Sequence, residues 1–162
     1  MRHILYNNVN WIVKVLITLF TVLYSLFTNI GASAQGIPFI RNFSAEEYHA
    51  NSLNYDVETD EKGNVFIANF EGLMYYDHAD WRIIHTPGIS RVTVCVRTSD
   101  NTIWVGGYNY FGKVMHKANG ELYLKRIAKP DLFRGEVSEI YDMDGKVRFI
   151  VNNGNIYQVD GE

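Results

Sequence analysis

The feature that most constrains this chain is a pattern that returns at intervals of roughly 40 residues. From residue 53 onward, short runs rich in Val, Ile, Tyr, Phe and Trp alternate with turns rich in Gly, Asn and Asp. Such alternation reads as strands joined by tight turns. The first copy holds Leu53–Asp60, Val65–Asn69, Leu73–Asp77 and Trp81–His85 as strands. The second holds Val92–Val96, Ile103–Val105, Lys113–Lys117 and Leu122–Ile127, and the third begins at Val137 and runs on through Val147–Val151 and Ile156–Val159. Two sets of turn residues keep the period. Gly63, Asn101 and Gly145 are 38 and 44 apart, and Gly72, Gly112 and Gly154 are 40 and 42 apart. Asn at 101 fits this set, because after Gly it is the residue that best tolerates a positive φ. In this alignment the loop before Gly112 is two residues longer than the one before Gly72. Four strands per period is the arithmetic of a β-propeller blade.

The expected fold is therefore all-β. It consists of propeller blades of four antiparallel strands, incomplete at two full blades plus most of a third, after an N-terminal signal helix. The expected segments are a signal peptide over 1–34, a leader over 35–52, and blades over 53–91, 92–136 and 137–162. A ring normally needs four or more blades, and a stacked repeat cannot bury its faces alone. The chain thus reads as the N-terminal piece of a longer protein or as a truncated gene. Three Pro exclude collagen-like and Pro-rich classes, and one Cys excludes an internal disulfide framework or a Cys-cluster zinc site. A net charge of −3 implies no strong electrostatic attraction to nucleic acid.

Residues 1–34 carry Arg2 and Lys14 but no Asp or Glu, and Val15–Phe27 is free of charge. Ala32-Ser33-Ala34 then gives a small-x-small site, so the segment reads as a secretory signal peptide cleaved after Ala34. The competing reading is an uncleaved anchor, since Trp11–Ile30 approaches the roughly 20 residues a bilayer span needs. Export places the remainder in the periplasm or outside the cell. Cys95, inside the apolar run VTVCV, reads as a small buried strand residue and not as a reactive thiol.

The stretch GIPFIRNFSAEEYHANSLNYDVETDEKGNVFIANFEGLMYYD, followed by WRII, resembles the first blade of the two-component regulator propeller family. The resemblance rests on Asp60, Gly63, Phe66, Gly72, Leu73, Tyr76 and Asp77. Ile103, Trp104, Gly106 and Gly112 carry it into the second copy, where Lys113-Val114 departs from the family's Gly-Leu continuation. It spans about residues 36–160. The resemblance implies a periplasmic sensor whose further domains are an immunoglobulin-like domain, a membrane helix and a histidine kinase or DNA-binding output. None of those is legible in this sequence. The implied role is sensing of an extracellular glycan or similar solute. Expected partners are that ligand and the missing C-terminal domains, with no direct nucleic-acid binding and with membrane contact only through the signal peptide or the missing span.

Blade geometry puts the second-to-third loops and the blade connections on one face. Asn69-Phe70-Glu71, Tyr108–Phe111, Asn152-Asn153, His85–Ser90 and Phe133–Glu136 fall there. Aromatic rings beside amides and charges suit sugars, because rings stack on apolar sugar faces while polar groups bind hydroxyls. The candidate ligand-binding residues are Tyr108, Asn109, Tyr110 and Arg134; the competing reading has the rings packing between blades and the Asn residues serving turns. No catalytic residues, metal ligands or cofactor are expected, and the chain reads as a non-enzyme. Asp142-Met143-Asp144-Gly145 resembles the start of a calcium loop but reads as a turn, lacking the later ligands. The His residues show no metal spacing. A propeller lyase or glycosidase would need paired carboxyls such as Glu71 and Glu136. An exported protein-interaction module or a remnant without signalling is the alternative to the sensor.

Overall fold

The computed structural model describes residues 2–27, 39–88 and 90–160. They form two units, Met1–Arg41 and Asn42–Glu162. The first unit holds helix α1, Arg2–Phe27. Trp11, Leu16, Ile17 and Phe20 on it are exposed. No helix among the described residues is both long and apolar enough to cross a membrane. Ala32-Ser33-Ala34 lies outside the described residues.

The second unit opens with a short helix, α2 (Ala45–Tyr48). Ser44 starts it with a capping box: the Glu47 N–H donates to Ser44 Oγ at 3.3 Å, and the Ser44 N–H donates to Glu47 Oε2 at 2.8 Å. This pairing satisfies two N–H groups that a helix start leaves open. Three antiparallel sheets follow, each built in chain order. The first is β1 (Asn54–Thr59), β2 (Val65–Asn69), β3 (Gly72–Tyr76) and β4 (Trp81–Ile84). The second is β5 (Val92–Arg97), β6 (Ile103–Gly107), β7 (Tyr110–His116) and β8 (Leu122–Arg126). The third has β9 (Val137–Met143), β10 (Lys146–Val151) and β11 (Ile156–Val159).

The backbone repeats more faithfully than the sequence does. Each sheet carries a bulge in its first strand, at Tyr55, Thr93 and Ser138. In each, the N–H that follows the second strand donates to the carbonyl just before the first strand. The three bonds are Phe70 to Leu53 at 3.1 Å, Tyr108 to Arg91 at 3.3 Å, and Asn152 to Glu136 at 2.8 Å. Gly63, Asn101 and Gly145 all hold positive φ in the first turn of their sheets, at 81°, 64° and 70°. The Asp144-Gly145 turn joins β9 to β10.

One expectation is corrected. The third strand of the second sheet starts at Tyr110, and its hairpin loop is Tyr108-Asn109, as short as Phe70-Glu71. In register, Gly72 therefore corresponds to Tyr110, and Gly112 lies inside β7. The two glycines still share a cause. A Cβ at Gly72 would stand 2.7 Å from the Ile84 carbonyl, and one at Gly112 would stand 2.3 Å from the Lys125 carbonyl. The backbone of the fourth strand crowds both positions, and only Gly fits.

The sheets stack through alternating residues. Phe66, Ala68 and Leu73 of the first sheet form one core cluster with Ile103, Val105 and Tyr110 of the second. Trp104 and Phe111 use the other face of the second sheet and join Val147, Phe149 and Val151 of the third. Phe111 stacks on Phe149 at 3.9 Å between centroids. All five residues of β6 are buried, as expected for a strand covered on both faces. The leader covers outer strands of the first sheet. Phe43 lies 5.5 Å from Tyr76 and 5.3 Å from Trp81, and Tyr48 lies 5.8 Å from Trp81.

β1 and β5 are edge strands that run side by side without sharing a ladder. Carboxylates link them. Asp56 accepts from the Val57 N–H through Oδ1 at 2.9 Å and from the Cys95 N–H through Oδ2 at 3.0 Å. Glu58 repeats the arrangement with Thr59 at 2.8 Å and Arg97 at 3.1 Å. On the other side, Thr93 Oγ1 donates to the Val137 carbonyl at 2.7 Å.

Candidate functional site

The loops expected on one face are hydrogen-bonded into one surface. Tyr108 pairs with Glu136 as an isolated bridge. The Asn109 N–H donates to the Gly135 carbonyl at 2.8 Å, and the Gly135 N–H donates to Asn109 Oδ1 at 2.8 Å. The Glu136 N–H donates to Asn152 Oδ1 at 3.2 Å. Arg126 ties in the preceding connection, donating to the Asn109 carbonyl at 2.9 Å and to the Pro87 carbonyl at 3.4 Å. His85 Nδ1 meets the Glu71 carbonyl at 3.0 Å. Within the connection His85–Ser90, Ile89 lies outside the described residues.

The face carries a built charge pair. Arg91 donates to Glu136 through Nε at 3.1 Å and through Nη2 at 2.8 Å. These residues precede the first strands of adjacent sheets, so one register position supplies both partners. The side-on hydrogen bonds hold the Glu136 carboxyl below its ordinary range, against a smaller upward push from desolvation. The same bonds raise Arg91. The Arg91 guanidinium also lies 5.2 Å from the Tyr108 ring centroid. That contact steadies an exposed ring.

The four candidate residues divide. Tyr108 is 47% exposed and sits in the same register position as Phe70, which is 44% exposed. Asn109 holds φ at 52° and spends its backbone and its side-chain oxygen on neighbouring loops. Its main work is structural. Arg134 is exposed, and its guanidinium has no partner among the described residues, while its carbonyl accepts from Asn153 Nδ2 at 3.4 Å. Tyr110 is a correction: it is 0% exposed and belongs to the core between the first two sheets. Its neighbour Gly112 leaves room for the phenol, since a Cβ there would come within 2.5 Å of the oxygen. Burial pushes the phenol well up from its usual value, and its oxygen has no hydrogen-bond partner among the described residues. The Arg126 guanidinium stands 4.7 Å from its ring centroid.

Sequence reasoning missed Arg91 and Glu136 as a pair. Their link is a shared register position 45 residues apart, visible only once the bulges fix the alignment. It also read Asn101 only as a substitute for Gly. In the structure Asn101 Oδ1 accepts from the Glu61 N–H of the adjacent sheet at 3.1 Å. On the opposite face a groove of about 330 Å³ separates the first two sheets. Asp60 on its wall is occupied by its own turn, accepting from the N–H groups of Lys62 and Asn64 at 2.9 Å each. Cys95 is buried beside Asp56, and its thiol is pushed up to about 12, chiefly by desolvation. It is a core residue and not a nucleophile at neutral pH.

The sequence matches no protein-family model, and no curated protein matches it.

Proposed function

We propose that the three sheets are blades of an extracytoplasmic, ligand-sensing β-propeller belonging to a transmembrane signalling regulator, and that the face around Tyr108 takes a glycan or similar solute. The observation that carries the site is the row formed by Phe70, Tyr108 and Asn152 at one register position of successive sheets. Two exposed rings and an amide set along one face match the alternating apolar and hydroxyl surfaces of an oligosaccharide. Arg134 supplies a free donor at the rim. Arg91 and Glu136 hold the row in place and do not meet the ligand with free charge. The blade reading is supported by the repeated bulges and by first strands lying side by side. The sensing role is supported by the resemblance of the repeat to two-component regulator propellers. Transmission of binding requires that the ligand prefer one of two arrangements of the receiving protein.

The test is titration of the full chain with a panel of neutral and acidic oligosaccharides, followed by calorimetry. Binding by at least one of them, weakened about tenfold or more by Tyr108→Ala, is the expected result; an aromatic stacking contact of about 1.5 kcal/mol gives that factor. Absence of binding across the panel, or binding indifferent to Tyr108→Ala and Arg134→Ala, overturns the reading.

A further inference from the structure

Two successive junctions between sheets carry the same groove, on the face of the first turns. One, of about 330 Å³, lies between the first two sheets; the other, of about 260 Å³, lies between the second and third. Register matches their walls. Trp104 stands where Phe66 stands, Lys113 where Tyr75 stands, and Val147 where Ile103 stands. The second groove holds a cation of its own. The Lys113 ammonium lies 5.5 Å from the Trp104 ring centroid, and Asp100 and Asp142 line the same space. An aromatic face beside carboxylates suits a cation, and there the chain supplies it.

The first groove has rings and carboxylates without that ammonium. Tyr75 takes its position, half-buried, with its ring 5.0 Å from that of Phe66. The Tyr75 hydroxyl has no hydrogen-bond partner among the described residues. Desolvation raises the phenol first, and Asp77 and Asp60 raise it further against an opposing Arg82, so it stays neutral at pH 7 in a negative field. Asp60 is held by its own turn. Glu61 spends only its N–H, on Asn101, and its carboxylate has no partner among the described residues. Val114 and Leu122 give the far wall an apolar lining. Of the cationic side chains on the rim, Lys62 and His116 are exposed, and the Lys113 ammonium is turned to Trp104. The volume falls at the lower end of the range for small-molecule sites.

We propose that the groove between the first two sheets binds a small organic ammonium ion, an amine on a short apolar stem, with the charge between the Tyr75 ring and the Glu61 carboxylate and the stem along Val114 and Leu122. Both walls are four-stranded sheets, and the site lies on the face opposite Tyr108. The inference does not rest on the oligosaccharide reading.

The test is calorimetric titration of the full chain, in mild detergent that keeps α1 soluble, with n-butylamine and with n-butanol and butanoate as probes of matched length. Saturable binding of the amine is expected with a Kd of about 1 mM or tighter, with the alcohol and the acid at least about tenfold weaker. Glu61→Gln is expected to weaken amine binding about threefold or more. Tyr75→Lys puts into the first groove the side chain that the second already holds, and is expected to abolish binding with unchanged circular dichroism. Lys62→Gln is expected to leave binding unchanged or strengthen it. No saturable binding by about 20 mM amine, a preference for butanoate, or an affinity indifferent to Glu61→Gln overturns the proposal. If Tyr75→Lys does not fold, Glu61→Gln decides alone. Tyr108→Ala is expected to leave amine binding unchanged, which separates this site from the oligosaccharide face.

Discussion

Asp56 uses one carboxylate to join two edge strands. Its removal leaves the Val57 and Cys95 N–H groups without their acceptor. Asp56→Ala is expected to lower the unfolding free energy by about 1–3 kcal/mol, and Asp56→Asn by less, because an amide oxygen can still serve one of the donors. Urea denaturation measures both. Cys95 gives a second residue-scale expectation. The residue is 2% exposed and its thiol is raised to about 12, so an aromatic disulfide reagent at pH 8 is expected to label it only as fast as the protein opens. Gly106 gives a third. A Cβ there would stand 2.5 Å from Val137 Cγ1, so Gly106→Ala is expected to cost about 1–3 kcal/mol in the same denaturation assay, with partial recovery when Val137→Ala is added. At this scale the sequence was read well where a residue type has one dominant use. Gly63, Asn101 and Cys95 sit as expected in φ or burial. It was read poorly where a residue type has two uses. A Tyr in a loop-like GGYNYFG string is as suited to a core as to a surface, and Tyr108 and Tyr110 took one role each.

At the scale of strands and loops, the strand runs were legible because short runs rich in Val, Ile, Tyr, Phe and Trp were bounded by turn residues. The error at β7 has a definite cause. Gly112 was taken as turn punctuation, whereas it is a strand residue kept small by a neighbouring carbonyl. The bulges were not legible, since Tyr55, Thr93 and Ser138 share no residue type and a bulge is a matter of pairing. Yet the bulges set which residues meet across sheets, including Arg91 and Glu136. A double-mutant cycle on that pair is expected to give about 1 kcal/mol or less at pH 7, given that both side chains are partly solvated at 33% and 27% exposure. The pH dependence has a fixed sign. Pairing depresses the Glu136 pKa in the folded state, so its contribution is full above the ordinary value of 4.5 and is lost as pH falls through the depressed one. Repeating the cycle at pH 7 and at pH 3 checks this, and a coupling that grows on acidification contradicts it.

At the scale of the molecule, the two core clusters share no residue, and the second sheet contributes to both. This division was implicit in the sequence. β6 reads as an unbroken apolar and Gly run, Ile103–Gly107, while β1 and β9 carry polar residues between their apolar ones. The sequence could not show what the leader does, because Phe43 and Tyr48 fit any apolar surface until β3 and β4 are placed. The stacking has a consequence for how the protein comes apart. Each sheet closes its own ladder locally and leans on a neighbour, so loss of order need not be all-or-none. Amide exchange is expected to be slowest along β6, whose five residues are all buried, and faster along the partly exposed β11. A protease is expected to cut the exposed Asn152–Asn155 hairpin before it reaches the strands of the second sheet. An array of this kind is held at its middle, where one sheet belongs to both cores, and it comes apart sheet by sheet and not at once.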